Sequence, residues 1–186
     1  MAGNIDADFA ALARALRRVS VRVHDERGRG AGSGIVWDTR GIVVTNAHVV
    51  RGRTATIELD DGRSVRGDVV HRDDARDLAA VRMPAGIAPL AAVARDSRTL
   101  RVGELVVAVG NPLGLTGALT TGLVQRSNAR YVVADVKLEP GNSGGALADS
   151  SGRVVGINSM VAGGLALAVP SAAVTAFLGR LGARAA

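Results

Sequence analysis

Three short segments of the 186-residue chain each place one reactive side chain where packing alone gives no reason for it. His48 follows an apolar run, Asp77 directly precedes the apolar residues 78–81, and Ser143 stands in the glycine-rich loop 139–145. Taken singly, each has an ordinary structural explanation: a hydrogen-bonded histidine, a turn cap and a tight turn. Taken together, they are the groups that hydrolysis by a serine nucleophile requires.

This chemistry needs three things of the fold. A serine hydroxyl is too weakly acidic to attack an amide unaided, so a neutral imidazole must accept its proton. A carboxylate must fix the tautomer of that imidazole, and backbone N–H groups must stabilise the tetrahedral oxyanion. The chain order His48, Asp77, Ser143 is one of the known orders for such a triad. We expect the loop around Ser143 to supply the oxyanion hole as well, from Gly141, Asn142 and Ser143, because glycine tolerates the backbone angles required.

The elements that must position these residues are short strands. Beyond residue 19 the chain consists of runs rich in Val, Ile, Leu and Thr, punctuated by Gly and Asp. Many short strands at close spacing favour antiparallel barrels over a β-α-β fold. The predicted fold is all-β, with two antiparallel six-stranded barrels. The first group of strands is 19–23, 33–37, 41–46, 54–59, 65–71 and 78–82, and the second is 105–109, 119–125, 131–135, 145–148, 154–159 and 165–169.

Short helices are predicted at both ends. Ile5, Phe9, Leu12, Leu16 and Val19 recur at helical spacing, with aspartates in the first turn and arginines in the last, which suits the helix dipole. This pattern favours a helix packed on the protein over one attached to a membrane surface. A closing helix is expected over 171–182. The chain is thus predicted to be one domain, with an N-terminal helix over 1–18, a first barrel over about 19–95 and a second over about 104–170.

Three motifs carry a resemblance to a known family. Thr-Asn-Ala-His-Val-Val at 45–50, Asp-Leu-Ala-Ala-Val-Arg at 77–82 and Gly-Asn-Ser-Gly-Gly-Ala-Leu at 141–147 resemble the trypsin-like, chymotrypsin-fold serine proteases. Further segments, such as Gly-Ser-Gly-Ile-Val at 32–36, resemble the HtrA/Deg branch of these proteases. The similarity covers about residues 16–178.

The resemblance implies a serine endopeptidase that acts through an acyl-enzyme, without metal or cofactor, in protein quality control or regulatory proteolysis. His48 would be the general base, Asp77 its orienting carboxylate and Ser143 the nucleophile, with Asp73 and Asp74 as rivals for the carboxylate. Its partners would be unfolded or extended polypeptides, and a homotrimer is the usual assembly of the branch. No PDZ domain follows in this sequence, and the segment 127–130 is shorter than the family's regulatory loop.

The resemblance also locates substrate-binding residues. The strand Ser159, Met160, Val161 would pair with the substrate backbone, and Leu138, Met160 and Ala162 would line the S1 pocket. Lys137 departs from the family, which usually has a small residue there and accepts small aliphatic P1 side chains. Two interpretations remain open. Either the Lys137 side chain points into solvent, or its ammonium enters the S1 pocket and favours acidic P1 residues.

The amino-acid composition excludes several other classes of function. The absence of Cys excludes disulfides, thiolate metal sites and a cysteine nucleophile, and no apolar run is long enough to span a membrane. The formal charge is +6, but aromatic residues make up only 2% of the chain, which argues against a nucleic-acid-binding barrel. The sequence does not begin with a recognisable secretory signal, so the chain as given is expected in the cytoplasm. If the chain is excised from a longer precursor, the periplasm or cell envelope is expected instead. The main rival function is a latent protease fold that binds peptides.

Overall fold

Two closed antiparallel barrels form the body of the protein. The computed structural model describes residues 5–26, 30–87, 90–112 and 117–183. The first barrel has the strands β1 (Ser20–Asp25), β2 (Ala31–Val36), β3 (Ile42–Thr45), β4 (Thr54–Glu58), β5 (Ser64–Asp73) and β6 (Leu78–Arg82). The second has β7 (Leu105–Gly110), β8 (Ala118–Ser127), β9 (Val132–Ala134), β10 (Ala146–Asp149), β11 (Val154–Ala162) and β12 (Leu165–Pro170). The predicted fold class is confirmed.

The two barrels have the same strand order. The first closes as β1-β2-β3-β6-β5-β4 and the second as β10-β11-β12-β9-β8-β7. Closure pairs the strands around each barrel and leaves a free edge only where one strand outruns its neighbour. The helices α1 (Ile5–Val19) and α2 (Ser171–Ala183) flank the barrels, as predicted. No helix within the described ranges is long and apolar enough to cross a membrane.

Burial separates three apolar clusters. One fills the first barrel around Val23, Val43 and Ile57, and another fills the second around Val106 and Val155. The third lies where the barrels and helices meet, and its buried members include Leu16, Ile35, Leu78, Val107, Ile157 and Phe177. This shared cluster joins the two barrels, so residues from both can meet at their junction.

The N-terminal helix packs only through its second half. Leu16 and Val19 are buried, and Leu12 packs against the shared cluster. Ile5 is 70% exposed and Phe9 36%. The N-terminal part of the apolar stripe that predicts the helix is therefore exposed, and only its C-terminal part packs against the protein.

Candidate active site

His48 and Asp77 meet at the junction of the barrels. The ring Nδ1 of His48 lies 3.0 Å from Oδ1 and 2.9 Å from Oδ2 of Asp77, and the His48 backbone N–H donates to Oδ1 at 3.1 Å. Contact at Nδ1 favours the tautomer that carries its proton there and leaves Nε2 as an acceptor. The His48 side chain is 46% exposed and that of Asp77 22%, so the imidazole faces solvent while the carboxylate is largely covered.

The backbone at Asp77 is unusual. Its φ is +54°, the left-handed region, which aspartate adopts more readily than most residues. The side-chain amide of Asn46 donates to the Asp77 carbonyl at 2.9 Å and holds this turn beside the one that carries His48. Strain of this kind persists where surrounding contacts enforce it, and it clusters at functional sites.

The two rival carboxylates have other partners. Asp73 accepts from the Arg76 guanidinium at 2.9 Å and from its backbone N–H at 3.1 Å. Asp74 accepts from Arg72, with the closest nitrogen at 2.6 Å, and Arg72 also donates to the Val50 carbonyl. Both aspartates therefore brace the turn that presents Asp77, rather than contacting the imidazole.

Ser159 joins the second barrel to this pair. Its hydroxyl donates to Oδ2 of Asp77 at 2.7 Å. The β11–β12 register shifts between Asn158 and Met160, so a bulge falls at Ser159. Bulges re-aim side chains beside active sites, which accounts for the direction of this hydroxyl.

The pKa of Asp77 reflects these contacts. Burial by itself would raise it, but the hydrogen bonds from the His48 ring, the Ser159 hydroxyl and the His48 amide outweigh burial and lower it below the ordinary 3.8. The carboxylate therefore stays ionised at neutral pH, as stabilisation of an imidazolium requires.

Ser143 is connected to the same network. Its hydroxyl donates to the Ser159 carbonyl at 3.0 Å. Ser159 thus contacts Ser143 through its carbonyl and Asp77 through its hydroxyl. Within the described residues no hydrogen bond joins the Ser143 hydroxyl to the imidazole, so the side chain must rotate from the carbonyl before a proton can pass to His48.

The loop before Ser143 is a tight turn. The Asn142 N–H donates to the Glu139 carbonyl at 3.0 Å, and Gly141 has a φ of +104°. Because Pro140 holds its own φ near −65°, the positive angle at Gly141 makes this a type II turn. A Cβ at Gly141 would lie 2.6 Å from the Asn111 carbonyl oxygen, so glycine is required for space as well.

Two backbone amides of this loop are free. Within the part of the chain that the structure describes, the N–H groups of Gly141 and Ser143 donate to no protein acceptor. The Asn142 amide is taken by Glu139, which corrects the expectation that it belongs to the oxyanion hole. Two neighbouring unpaired donors beside a serine hydroxyl match what a developing oxyanion needs.

The predicted substrate strand is open to solvent. Met160 is 45% exposed, Val161 52%, and Ala162 is also exposed, whereas Ser159 is buried. β11 pairs with β12 along these residues, but its pairing with β10 involves only residues 154–157. The second edge of β11 is therefore available where it passes Ser143.

The Lys137 side chain points into solvent. Its ammonium lies 2.7 Å from Oε1 of Glu139, and its side chain is 78% exposed. This contact raises its pKa, through the hydrogen bond first and the opposite charge second. Leu138 packs instead against the core of the second barrel. This geometry fits the interpretation that Lys137 points into solvent rather than into the S1 pocket.

Sequence reasoning missed several residues that support the site. It placed Ser159 on the substrate strand but did not predict its bond to Asp77, and it gave no role to Asn46, Ser33 or Asn111. The Ser33 N–H and hydroxyl donate to the carbonyls of Ser143 and Gly141, both at 2.7 Å. No local signal could reveal contacts that span 108 residues.

The described residues contain no cluster of His, Asp and Glu that could hold a metal ion.

A pair of closed six-stranded barrels with these side chains at their junction defines the chymotrypsin-like class of fold. The sequence model of the trypsin-like peptidase domain matches residues 32–157, and the chain belongs to this family.

Individual relatives are consistent with the HtrA/Deg branch, as the resemblance predicted. Serine protease HTRA2, mitochondrial, of Drosophila willistoni is 36% identical over 169 residues, which are 82% of this chain and 39% of the relative. Protease Do-like 1, chloroplastic, of Arabidopsis thaliana is 38% identical over 147 residues, 72% of this chain and 34% of the relative. The chain thus spans well under half the length of these relatives.

A solved structure gives the same result for the fold. The crystal structure of the serine endoprotease from Yersinia pestis superposes with a TM-score of 0.86 at 28% identity, over 93% of this chain and 66% of that one.

Proposed function

We propose that the protein is a serine endopeptidase that cleaves polypeptides through an acyl-enzyme. The observation that supports this most strongly is that hydrogen bonds link Ser143 to Ser159, Ser159 to Asp77 and Asp77 to His48. Its members come from both barrels, and it ends beside two unpaired amides. Packing alone requires no such convergence of a hydroxyl, a carboxylate and an imidazole.

The proposed reaction begins with rotation of the Ser143 hydroxyl toward Nε2 of His48. The imidazole takes the proton as Oγ attacks the substrate carbonyl carbon, and the oxyanion that forms accepts from the amides of Gly141 and Ser143. The imidazolium, stabilised by Asp77, then protonates the leaving amine and frees the first product. Water, deprotonated by His48, attacks the carbonyl carbon of the acyl-enzyme, and the imidazolium returns this proton to Ser143 Oγ as the ester bond breaks and the second product leaves.

Substrate would bind as an added strand. The free edge of β11 from Ser159 to Ala162 offers backbone groups for pairing with an extended peptide. An extended or unfolded segment meets this requirement, whereas a folded domain does not expose such a strand. Because Lys137 is paired with Glu139 in solvent, we propose small aliphatic rather than acidic P1 residues.

The wider role rests on the resemblance to the HtrA/Deg branch alone. We propose protein quality control or regulatory proteolysis, an extracytoplasmic address and a homotrimer as this protein's role, location and assembly. Two relatives are named as periplasmic, which supports the proposed address. Light scattering on the purified protein tests the assembly, and a monomeric mass would contradict it.

Digestion of a denatured protein tests the function. Wild type should produce peptides whose ends map to defined cut sites by mass spectrometry, and S143A should produce none. Cleavage by S143A at the same sites would show that another residue, or a contaminant, does the chemistry.

One observation favours a second function, a latent peptide-binding module. The Ser143 hydroxyl bonds to the Ser159 carbonyl rather than to the imidazole. A binding module predicts that wild type and S143A hold unfolded protein equally well and that neither cuts it, whereas the peptidase predicts accumulation of bound substrate only in S143A.

A further inference from the structure

Ser33 holds the loop of the nucleophile from the other barrel. It lies on β2 and is fully buried. Its backbone N–H donates to the carbonyl of Ser143, and its hydroxyl donates to the carbonyl of Gly141, each at 2.7 Å. These are the carbonyls of the two residues whose amides are free.

The hydroxyl of Ser33 is fully used. It accepts from the Asn111 backbone N–H at 2.8 Å and from the Asn111 side-chain amide at 3.2 Å. A hydroxyl has one donor and two acceptor positions, so its proton is committed to the Gly141 carbonyl. Asn111 is fixed in turn, because its Nδ2 donates to the Val21 carbonyl at 3.0 Å and its Oδ1 accepts from the Gly117 N–H at 2.9 Å.

The peptide group between Gly141 and Asn142 is therefore held at both polar ends. Its carbonyl accepts from Ser33, and its N–H donates to Glu139. This peptide lies between the two free amides, so its orientation decides whether both can reach one oxygen atom. Glycine at 141 would tolerate a rotated peptide, since it lacks the Cβ that restricts other residues. Rotation would break both hydrogen bonds.

We propose that Ser33 is a positioning residue whose hydroxyl holds the Gly141–Asn142 turn in the conformation that keeps the oxyanion donors in place. It acts through Gly141 and touches neither substrate nor reacting atoms. The inference rests on the proposed endopeptidase function, because it assigns Ser33 a part in stabilising the oxyanion.

The test compares S33A with the matched control S20A. Ser20 is also buried, but its hydroxyl donates to the Leu16 carbonyl at 2.8 Å rather than to the loop. We expect S33A to lower kcat on a peptide substrate by about 10-fold to 100-fold, less than the complete loss of an oxyanion donor. KM should stay within about twofold, because uniform substrate binding is unchanged. S20A should leave both constants close to wild type.

A peptide aldehyde separates positioning from general damage. The Ser143 oxygen adds to its carbonyl carbon as the hydroxyl proton passes to His48, and the former carbonyl oxygen becomes the oxyanion. The inhibition constant of the aldehyde should rise in S33A about as much as kcat/KM falls, while the pH profile keeps its shape. Should S33A fail to fold, S33C keeps a side chain of similar size with a weaker donor, and we expect an intermediate loss.

Three results would overturn the inference. A folded S33A with kcat within twofold of wild type leaves the endopeptidase intact and removes the role of Ser33. A fall in kcat without weaker aldehyde binding places the defect elsewhere than the oxyanion. An inactive wild type refutes the proposed function, and the inference with it.

Discussion

Replacement of Asp77 by asparagine tests the geometry of the site most sharply. Oδ1 receives the His48 backbone N–H and the ring Nδ1, at 3.1 and 3.0 Å, and Oδ2 receives Nδ1 and the Ser159 hydroxyl, at 2.9 and 2.7 Å. An amide has only one oxygen, and its NH2 group cannot accept. With nitrogen at the Oδ1 position two donors face each other at the His48 backbone N–H, which cannot accept, whereas at the Oδ2 position the Ser159 hydroxyl can turn and accept, so the amide should place its nitrogen at Oδ2.

That orientation reverses the tautomer of the imidazole. The NH2 group would donate to Nδ1 and leave the proton of His48 on Nε2, which then cannot accept from Ser143. The same exchange of tautomer in another serine protease costs about 10⁴-fold in kcat. We expect a similar loss for D77N, equivalent to about 5.5 kcal/mol of transition-state stabilisation.

Steady-state kinetics on a peptide substrate provide the assay, with D73N and D74N as controls. Both controls change a carboxylate of the same turn that binds an arginine instead of the imidazole. They should keep kcat within about 10-fold of wild type. A D77N enzyme within 10-fold of wild type, or a D73N or D74N enzyme as impaired as D77N, would refute the assignment.

Two further predictions concern specificity and the pH dependence of stability. K137A should leave the ratio of cleavage at small aliphatic and acidic P1 residues unchanged in a peptide panel, whereas a loss of acidic cleavage would place the ammonium in the pocket. Glu104 has its pKa lowered to about 2, chiefly by the hydrogen bond from Arg95. Its stabilising effect should therefore be complete above about pH 4.5 and lost as the pH falls toward 2. Urea unfolding across this range should show a weaker pH dependence for E104Q than for wild type or the exposed-site control D60N, and equal slopes would refute it.

The fold follows from local features of the sequence. Val- and Ile-rich runs bounded by Gly and Asp predict strands close to the observed ones, and 78–82 agrees at both ends. The differences lie at strand ends. β11 continues to Ala162 rather than ending at 159, because it turns into β12 through Gly163 and Gly164, both of positive φ, as a two-residue hairpin requires.

The site is only partly accessible to the same reasoning. Motif and chain order single out His48, Asp77 and Ser143, because each reactive residue type stands in an unusual local setting. The bond from Ser159 to Asp77 spans 82 residues and depends on a bulge and on how the barrels meet. Sequence alone also cannot decide which way the Lys137 side chain points, since a long and flexible side chain can reach solvent or a pocket from the same backbone position.

Labelling with a fluorophosphonate probe tests the central claim most directly. The probe should modify wild type at Ser143 alone, as located by mass spectrometry of the digested protein, and H48A should react far more slowly because the hydroxyl loses its base. A wild-type protein that stays unlabelled in the presence of unfolded substrate, or a label on a residue other than Ser143, would contradict the account.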